Sequence, residues 1–172
     1  MINLPRLALS VRPLLAWAII HAGRDCENRG PLMIRHLPKP VTRRIAIHAA
    51  RGMTRAEYQH AREFMAAIGV VCPPPHEVFR GGIVGAVDVT RVTKPSQPPQ
   101  SQWYSGPRAL MLANPEPCDF IPAVGDRGYF EWRPAPASIL PKPARWMLPT
   151  PQRDIQRAAE RSAQLSLIED AA

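Results

Sequence analysis

Apolar and polar residues follow one another in short blocks along the chain, a pattern that predicts several strands and two or three helices. Ala8–Val11 has the length and composition of a buried strand, and a helix is expected to begin at Pro13, where a missing N–H is harmless. A second helix, from Arg55 to Ile68, follows a capping box and has apolar residues at helical spacing. The further segments with strand patterns are Leu32–Ile34, Arg44–Ala49, Ile83–Val92, Ala109–Leu112, Asp119–Ile121 and Gly128–Trp132.

Short strands with two helices between them indicate an α+β domain, built as a small mixed β-barrel with two flanking helices. We place this domain at residues 1–132, because six prolines follow between Arg133 and Pro151. A stretch so poor in backbone donors tends to form an extended linker, so residues 133–150 are assigned as one. Residues 151–172 carry a modest apolar stripe after a capping threonine. We predict a C-terminal helix there, which docks on the domain or on a protein partner.

The charge of the chain is unevenly distributed. Residues 1–62 contain 11 basic and 3 acidic residues and so supply the whole formal net charge of +8. The rest of the chain contains 11 basic and 11 acidic residues. Nineteen of the 22 basic residues are arginine, which grips phosphate and stacks on bases better than lysine does. A basic half is typical of a protein that binds a polyanion. The plainer alternative is a general use of arginine as the surface cation.

Three widely spaced cysteines, Cys26, Cys72 and Cys118, form no Cys-x-x-Cys pair. This argues against a disulfide framework and against a zinc site, so we expect reduced thiols in the cytoplasm and no metal or cofactor. The apolar N-terminal stretch is interrupted by Arg12 and Pro13. The uninterrupted apolar run after this proline is too short to span a bilayer, and no membrane partner is expected.

Five segments between residues 7 and 132 carry a family resemblance. In chain order they are Leu9-Ser-Val-Arg-Pro13, Gly23-Arg-Asp-Cys-Glu-Asn-Arg29, Ile47-His-Ala-Ala-Arg-Gly-Met53, Gly82-Ile-Val-Gly-Ala-Val-Asp88 and the stretch from Trp103-Tyr to Gly128-Tyr-Phe-Glu-Trp132. Together they resemble an ASCH domain, a branch of the PUA-like barrels. The resemblance leaves out the linker and the tail.

The ASCH signature, Gly-x-Lys-x-x-Glu-x-Arg, corresponds here to Ala22, Arg24, Glu27 and Arg29. The last two match, whereas alanine replaces the glycine and arginine replaces the lysine. The resemblance implies a PUA-like barrel and RNA binding. Some ASCH members resemble nucleases, and others are amidohydrolases that remove the acyl group from N4-acetylcytidine. The positions that match the catalytic residues of the amidohydrolases are Arg24, Glu27 and Asp88.

The arginine at the lysine position bears on catalysis. Amide hydrolysis needs a base or nucleophile, a proton donor for the leaving amine, and stabilisation of the oxyanion. A buried lysine can lose its proton and act as the base, but an arginine stays charged. Arg24 would therefore hold a phosphate or an oxyanion, and Glu27 or Asp88 would have to activate water.

The candidate nucleic-acid-binding residues are Arg12, Arg29, His48, Arg51, Trp103 and Tyr104. Guanidinium groups bind phosphates and base edges, and aromatic rings stack on bases. Four of them have a structural alternative: a surface salt bridge for Arg12, a satisfied structural role for His48, and cover of the barrel mouth for Trp103 and Tyr104. Glu27 could likewise pair with a neighbouring arginine, and Asp88 could belong to a structural ion pair.

The sequence thus predicts a domain that binds RNA, single-stranded nucleic acid or a nucleotide in an arginine-rich cleft. The alternative is a hydrolase that acts on a modified nucleoside or on RNA.

Overall fold

The structure is a computed structural model that describes residues 3–152. Its strands are β1 (Leu7–Val11), β2 (Cys26–Asn28), β3 (Arg43–Ala49), β4 (Gly82–Val92), β5 (Ala109–Pro122) and β6 (Tyr129–Glu131). Its helices are α1 (Pro13–His21), α2 (Pro31–Arg35) and α3 (Arg55–Ala67), with short 3-10 turns at Ala137–Ile139 and Arg145–Met147. The α+β class predicted from the sequence is confirmed.

The two longer helices begin at the residues where the sequence carries helix-start signals. Helix α1 starts at Pro13, as predicted. Before α3, the Thr54 hydroxyl accepts a hydrogen bond from the Glu57 N–H at 3.1 Å, and the Glu57 carboxylate accepts one from the Thr54 N–H at 2.9 Å. This reciprocal pair is the capping box, which satisfies backbone donors that the helix leaves free at its start.

Other segments differ from the prediction. Residues 32–34, expected to be a strand, lie within helix α2, because Pro31 occupies its first position and fixes a helical φ. Strand β2, in which Cys26 is followed by two polar residues, is too short to show apolar alternation and was missed. The two strands predicted at 109–112 and 119–121 are parts of the single strand β5, which changes register against β4 at three bulges.

The six strands form one mixed sheet in the order β2-β5-β4-β3-β1-β6. Only the β1–β3 pair is parallel among these neighbours. Within residues 3–152 the outer strands β2 and β6, each three residues long, pair on one side only. The sheet is therefore open, and the barrel expected from the sequence is not closed by these strands.

Each face of the sheet carries its own apolar cluster. Leu9, Ile45 and Ile47 belong to the larger cluster, into which α1 inserts Ile19 and Ile20. The smaller cluster contains Ala8 and Ala46, which alternate with these residues along β1 and β3. It also contains Ile83 of β4 and Ala123, which follows β5. Because side chains alternate across a strand, these clusters lie on opposite faces. This division decides which candidate residues can meet.

The chain divides into two compact units, of which the first comprises Met1–Cys72 and Val78–Pro141. It includes the start of the segment assigned as a linker, where the Ala135 N–H donates to the Pro122 carbonyl at 2.8 Å. The second unit contains Pro73–Glu77 and the chain from Lys142, with Met147 buried in a 3-10 turn. Apart from its first two residues, the predicted C-terminal helix lies outside the described residues.

No helix within residues 3–152 is both long and apolar enough to cross a bilayer.

Candidate functional site

A cavity of about 360 Å³ opens in the first unit between α1, α3 and the loop after β4. This volume lies within the range of about 300–1,000 Å³ that is usual for small-molecule sites. The lining residues come from the start of α1, from the β2 region, from α3 and from the loop. They are Arg12, Pro13, Leu14, Leu15, Arg24, Glu27, Asn28, Met53, Glu57, Tyr58, His60, Ala61, Phe64, Trp103 and Ser105.

Aromatic rings form one wall of the cavity. The rings of Trp103 and Phe64 lie 5.7 Å apart between centroids, tilted by 57°. The Arg24 guanidinium carbon lies 5.5 Å from the centre of the Trp103 ring, which is a cation–π contact. The indole therefore contacts both a guanidinium group and a second aromatic ring. Such a wall suits a flat, unsaturated ligand.

The carboxylate of Glu27 lies between two guanidinium groups. Its Oε2 accepts a hydrogen bond from Arg24 Nη2 at 3.1 Å, and its Oε1 lies 3.2 Å from Arg29 Nε. The second contact has the distance of an ion pair, but the N–H is not aligned for a hydrogen bond. Arg24 and Glu27 are only 5% and 6% exposed. A buried charge requires such pairing, because its desolvation is otherwise very costly.

Both members of the Arg24–Glu27 pair keep capacity for a further partner. A carboxylate has about four lone-pair sites, and one direct hydrogen bond occupies one of them. Within the described part of the chain, nothing accepts a hydrogen bond from Arg24 Nε. Both residues line the cavity, so the free capacity of the Glu27 carboxylate lies beside the aromatic wall, whereas the Nε atom of Arg24 is itself buried.

The rim of the cavity is formed by Arg12 and Glu57. Arg12 Nη1 lies 2.9 Å from Glu57 Oε1, and the other carboxylate oxygen belongs to the capping box of α3. Glu57 is thus held by the helix start and in turn holds Arg12 at the mouth. Because Arg12 remains mostly exposed, the ion pair costs little to open.

The charges that line the cavity cancel. Arg12 and Arg24 face Glu27 and Glu57, and His60 is the other titratable ring in the lining besides Tyr58. The excess of positive charge predicted for a cleft is therefore not inside it. The interior suits a neutral polar ligand better than a phosphate.

The loop that carries Trp103 is fixed by residues outside the predicted set. Asn28 donates a hydrogen bond to the Trp103 carbonyl at 2.8 Å and accepts one from the Ser105 N–H at 3.0 Å. Ser101 accepts from the Trp103 N–H at 3.1 Å and donates to Asp25. Strand β2 and its flanks thus position the indole as well as the charged pair.

Arg29, predicted to contact the ligand, does not line the cavity. One of its nitrogens donates to the Ser10 carbonyl of β1, and another faces Glu27. It lines a separate narrow gap with Leu9 and Leu110. The side chain therefore connects β2 to β1 and supports Glu27 from behind.

Asp88 lies away from Arg24 and Glu27. Its neighbours Val87 and Val89 face the larger cluster beside α1, so Asp88 projects from the other face of the sheet. There it accepts hydrogen bonds from Asn114 at 2.7 Å and Arg44 at 3.0 Å, and these contacts lower the pKa of its carboxyl. Arg44 also binds Glu116. The structural ion pair considered from the sequence is the arrangement observed.

His48 is buried, at 1% exposure, on the face of the smaller cluster. Its Nδ1 lies 3.0 Å from the Ser10 hydroxyl and its Nε2 lies 3.0 Å from the Ala123 carbonyl. Because a carbonyl only accepts, Nε2 carries the hydrogen and Nδ1 accepts from Ser10 in the neutral ring. Burial lowers the pKa of His48, against the opposing effect of the carbonyl. It does not line the cavity, and its contacts are structural.

Two further candidates lie outside the cavity. Arg51 is exposed two residues before Met53, and its carbonyl accepts a hydrogen bond from Arg80 at 3.3 Å. The hydroxyl of Tyr104 donates to the Pro107 carbonyl at 2.9 Å. Of the nine predicted site residues, the cavity therefore brings together Arg12, Arg24, Glu27 and Trp103.

The contribution of α3 to the cavity was not predicted. Tyr58 and Ala61 belong to the apolar stripe of this helix, which by itself indicates packing against a core. The sequence signal for it was Phe64, a large aromatic residue beside that stripe. No group of three or more His, Cys, Asp or Glu side chains within residues 3–152 could hold a metal ion.

A scan against protein-family models matches no family, and a search of curated proteins finds no significant match.

Proposed function

We propose that this protein binds single-stranded RNA by taking one unstacked base into the cavity between α1, α3 and Trp103. The observation that carries the proposal is the pairing of an aromatic wall with a buried carboxylate and guanidinium in a cavity of about 360 Å³. Proteins that recognise single-stranded RNA commonly stack a splayed base on an aromatic ring and bind its edge by hydrogen bonds.

The arrangement suggests a role for each group. The base lies beside Trp103 and Phe64, Glu27 accepts from N–H groups of the base edge, and the guanidinium of Arg24 donates to a base oxygen or nitrogen. The balanced charge of the lining suits an uncharged base. Phosphates would instead lie outside, near Arg51 and Arg55, which form no ion pair within the described part of the chain.

The ASCH resemblance supports the same proposal. Two positions of its signature, Arg24 and Glu27, line the cavity, and Arg29 supports the second of them. RNA binding is what that resemblance implies. We therefore propose that the chain is an ASCH-like domain whose signature residues line a base-binding cavity.

Hydrolysis of a modified nucleoside has less support. Arg24 and Glu27 lie together, but Asp88 projects from the opposite face and is bound to Asn114 and Arg44. Glu27 would then be the only one of the proposed carboxylates near the substrate, and arginines contact both of its oxygens. The geometry favours binding over catalysis.

The test uses a variant that fills the cavity without removing any contact. Ala61→Phe places a ring inside it, whereas Ala67→Phe adds the same ring to an exposed position of the same helix. Calorimetric titration with hexauridylate, hexacytidylate and the matching 5′-nucleotides at low salt measures binding. We expect wild type and Ala67→Phe to bind, and Ala61→Phe to lose binding. Absence of binding by wild type, or equal binding by all three proteins, would reject the proposal.

A further inference from the structure

Two phenylalanine rings are stacked at the surface of the first unit. Phe79 and Phe120 lie 4.7 Å apart between centroids, and their planes differ by only 7°. Phe79 is 58% exposed, which is unusual for a ring of this size. One flat aromatic face therefore points to solvent, and the cavity described above does not include it.

The inner ring of the stack is held rigidly by the sheet. Phe120 belongs to β5, and its ring packs on the backbone of Gly82 in β4 so closely that a methyl group there would lie 2.6 Å from the ring. The neighbouring Val78 is buried and anchors the segment that carries Phe79. The outer ring thus rests on a fixed support, and ordering it costs little entropy when a ligand stacks on it.

Arginines flank the stack and connect it to the cavity. A methyl group on Gly81 would lie 3.3 Å from the side chain of Arg51, next to the glycine that supports Phe120. Arg80 donates to the Arg51 carbonyl and to the Pro141 carbonyl, each at 3.3 Å. Arg51 is two residues from Met53, which lines the cavity, a backbone span of at most about 7 Å.

We propose that the Phe79–Phe120 stack is a second base-binding position for the same RNA strand, with Arg51 contacting the phosphate between this position and the cavity. The inference rests on the proposed function and extends it, since it requires an oligonucleotide and not a free nucleoside. An exposed aromatic face beside exposed arginine is the combination that binds single-stranded nucleic acid with little sequence preference.

The test compares ligands of different length on full-length variants. Phe79→Ala removes the outer ring, and Val71→Ala removes an apolar side chain that is 91% exposed elsewhere. We expect Phe79→Ala to weaken hexauridylate binding about tenfold, the effect of losing one base–aromatic stack. Binding of 5′-uridylate should be unchanged, and Val71→Ala should match wild type for both ligands. Phe79→Trp, which keeps an aromatic face, should bind the hexamer as tightly as wild type or tighter.

The outcomes separate the two proposals. If the mononucleotide binds and Phe79→Ala leaves hexamer binding unchanged, the second position is overturned and the cavity stands. If the hexamer binds in a Phe79-dependent way while Ala61→Phe has no effect, the cavity is rejected and the stack stands. If Phe79→Ala alters only the sedimentation of the protein, the patch is a protein contact and the inference is overturned.

Discussion

At the scale of single residues, Glu27 is the group on which the site depends. It is buried between Arg24 and Arg29, and these arginines have no other carboxylate among the described ion pairs. Loss of its charge would leave two guanidinium groups facing each other in a buried place. The contact therefore stabilises the fold as well as the proposed binding site.

We predict that Glu27→Gln lowers the free energy of unfolding by about 3 kcal/mol, because removing one partner of a buried pair leaves uncompensated charge. Urea denaturation measures the change. The matched control is Glu131→Gln, since Glu131 forms an exposed ion pair with Arg6 at 3.5 Å. Its effect should stay below about 1 kcal/mol. Equal effects of the two substitutions would mean that the arginines find other partners.

The buried ring of His48 makes the free energy of unfolding depend on pH. Burial lowers the pKa of the ring below its ordinary value of 6.5. The unfolded chain therefore takes up a proton first as the pH falls, and the folded state loses stability below pH 6.5 until the folded ring also titrates.

Denaturation curves at pH 7.5, 6.5 and 5.5 would measure this loss, with a slope of no more than about 1.4 kcal/mol per pH unit from one proton. His48→Gln should flatten the curve between these values, whereas His36→Gln, at an exposed position, should leave it unchanged. An equally steep curve for His48→Gln would assign the dependence to other groups.

At the scale of elements, β4 and β5 are joined by an irregular ladder. Asp88 pairs with Ala113 and Ala86 pairs with Glu116, so two residues of β5 lie opposite one residue of β4 at that bulge. One of them, Asn114, has a left-handed φ of 50°. Its amide also binds Asp88. The bulge thus combines a special backbone conformation with a side-chain hydrogen bond.

Substitutions at Asn114 separate these contributions. Asn114→Gly loses the amide but keeps the backbone conformation available, whereas Asn114→Ala loses both. We predict that the alanine variant is less stable than the glycine variant by about 1 kcal/mol, the cost of a left-handed conformation for a residue with a Cβ. Thermal unfolding measures the difference. A glycine variant no more stable than the alanine variant would show that the backbone conformation relaxes.

The two longer helices could be predicted, because the sequence carries a recognisable signal at the start of each. The capping box located α3, and Pro13 located the start of α1. Strand β2 could not be predicted, because a three-residue segment with two polar residues forms a strand only when β5 offers it an edge. Helix α2 has five residues, too few for periodicity to separate a helix from a strand.

At the scale of the whole molecule, the positive charge and the cavity are separate features. Arg6 and Arg44 are paired with Glu131, Asp88 and Glu116, so part of the basic half neutralises acids from the rest of the chain. The positive and negative charges that line the cavity cancel each other. The net charge predicted a polyanion partner, but it did not predict the position of the cavity that we propose for the base, since ion pairing between distant segments is a tertiary property.

We therefore predict that binding of an uncharged nucleoside hardly changes between 50 and 200 mM salt, whereas binding of a hexanucleotide weakens steeply. Each phosphate contact releases about 0.7 counterions from a single strand, so the slope counts the contacts. Titrations over this salt range measure both. Arg51→Gln should reduce the slope for the hexamer and leave nucleoside binding unchanged. A nucleoside whose affinity falls equally with salt would contradict the proposed balance of charge.

The open sheet also determines how the binding wall behaves. Glu27 and Asn28 lie on β2, a three-residue strand that pairs with β5 and, within residues 3–152, with no other strand. An outer strand this short opens more readily than the central strands, so its amide hydrogens exchange with solvent sooner. A bound base that contacts both Glu27 and Trp103 would stabilise β2 against the loop that follows β4. When the ligand binds, deuterium uptake at residues 26–28 should then slow far more than uptake in β3. The edge strand β2 is therefore the part of the sheet whose exchange reports ligand binding most sensitively.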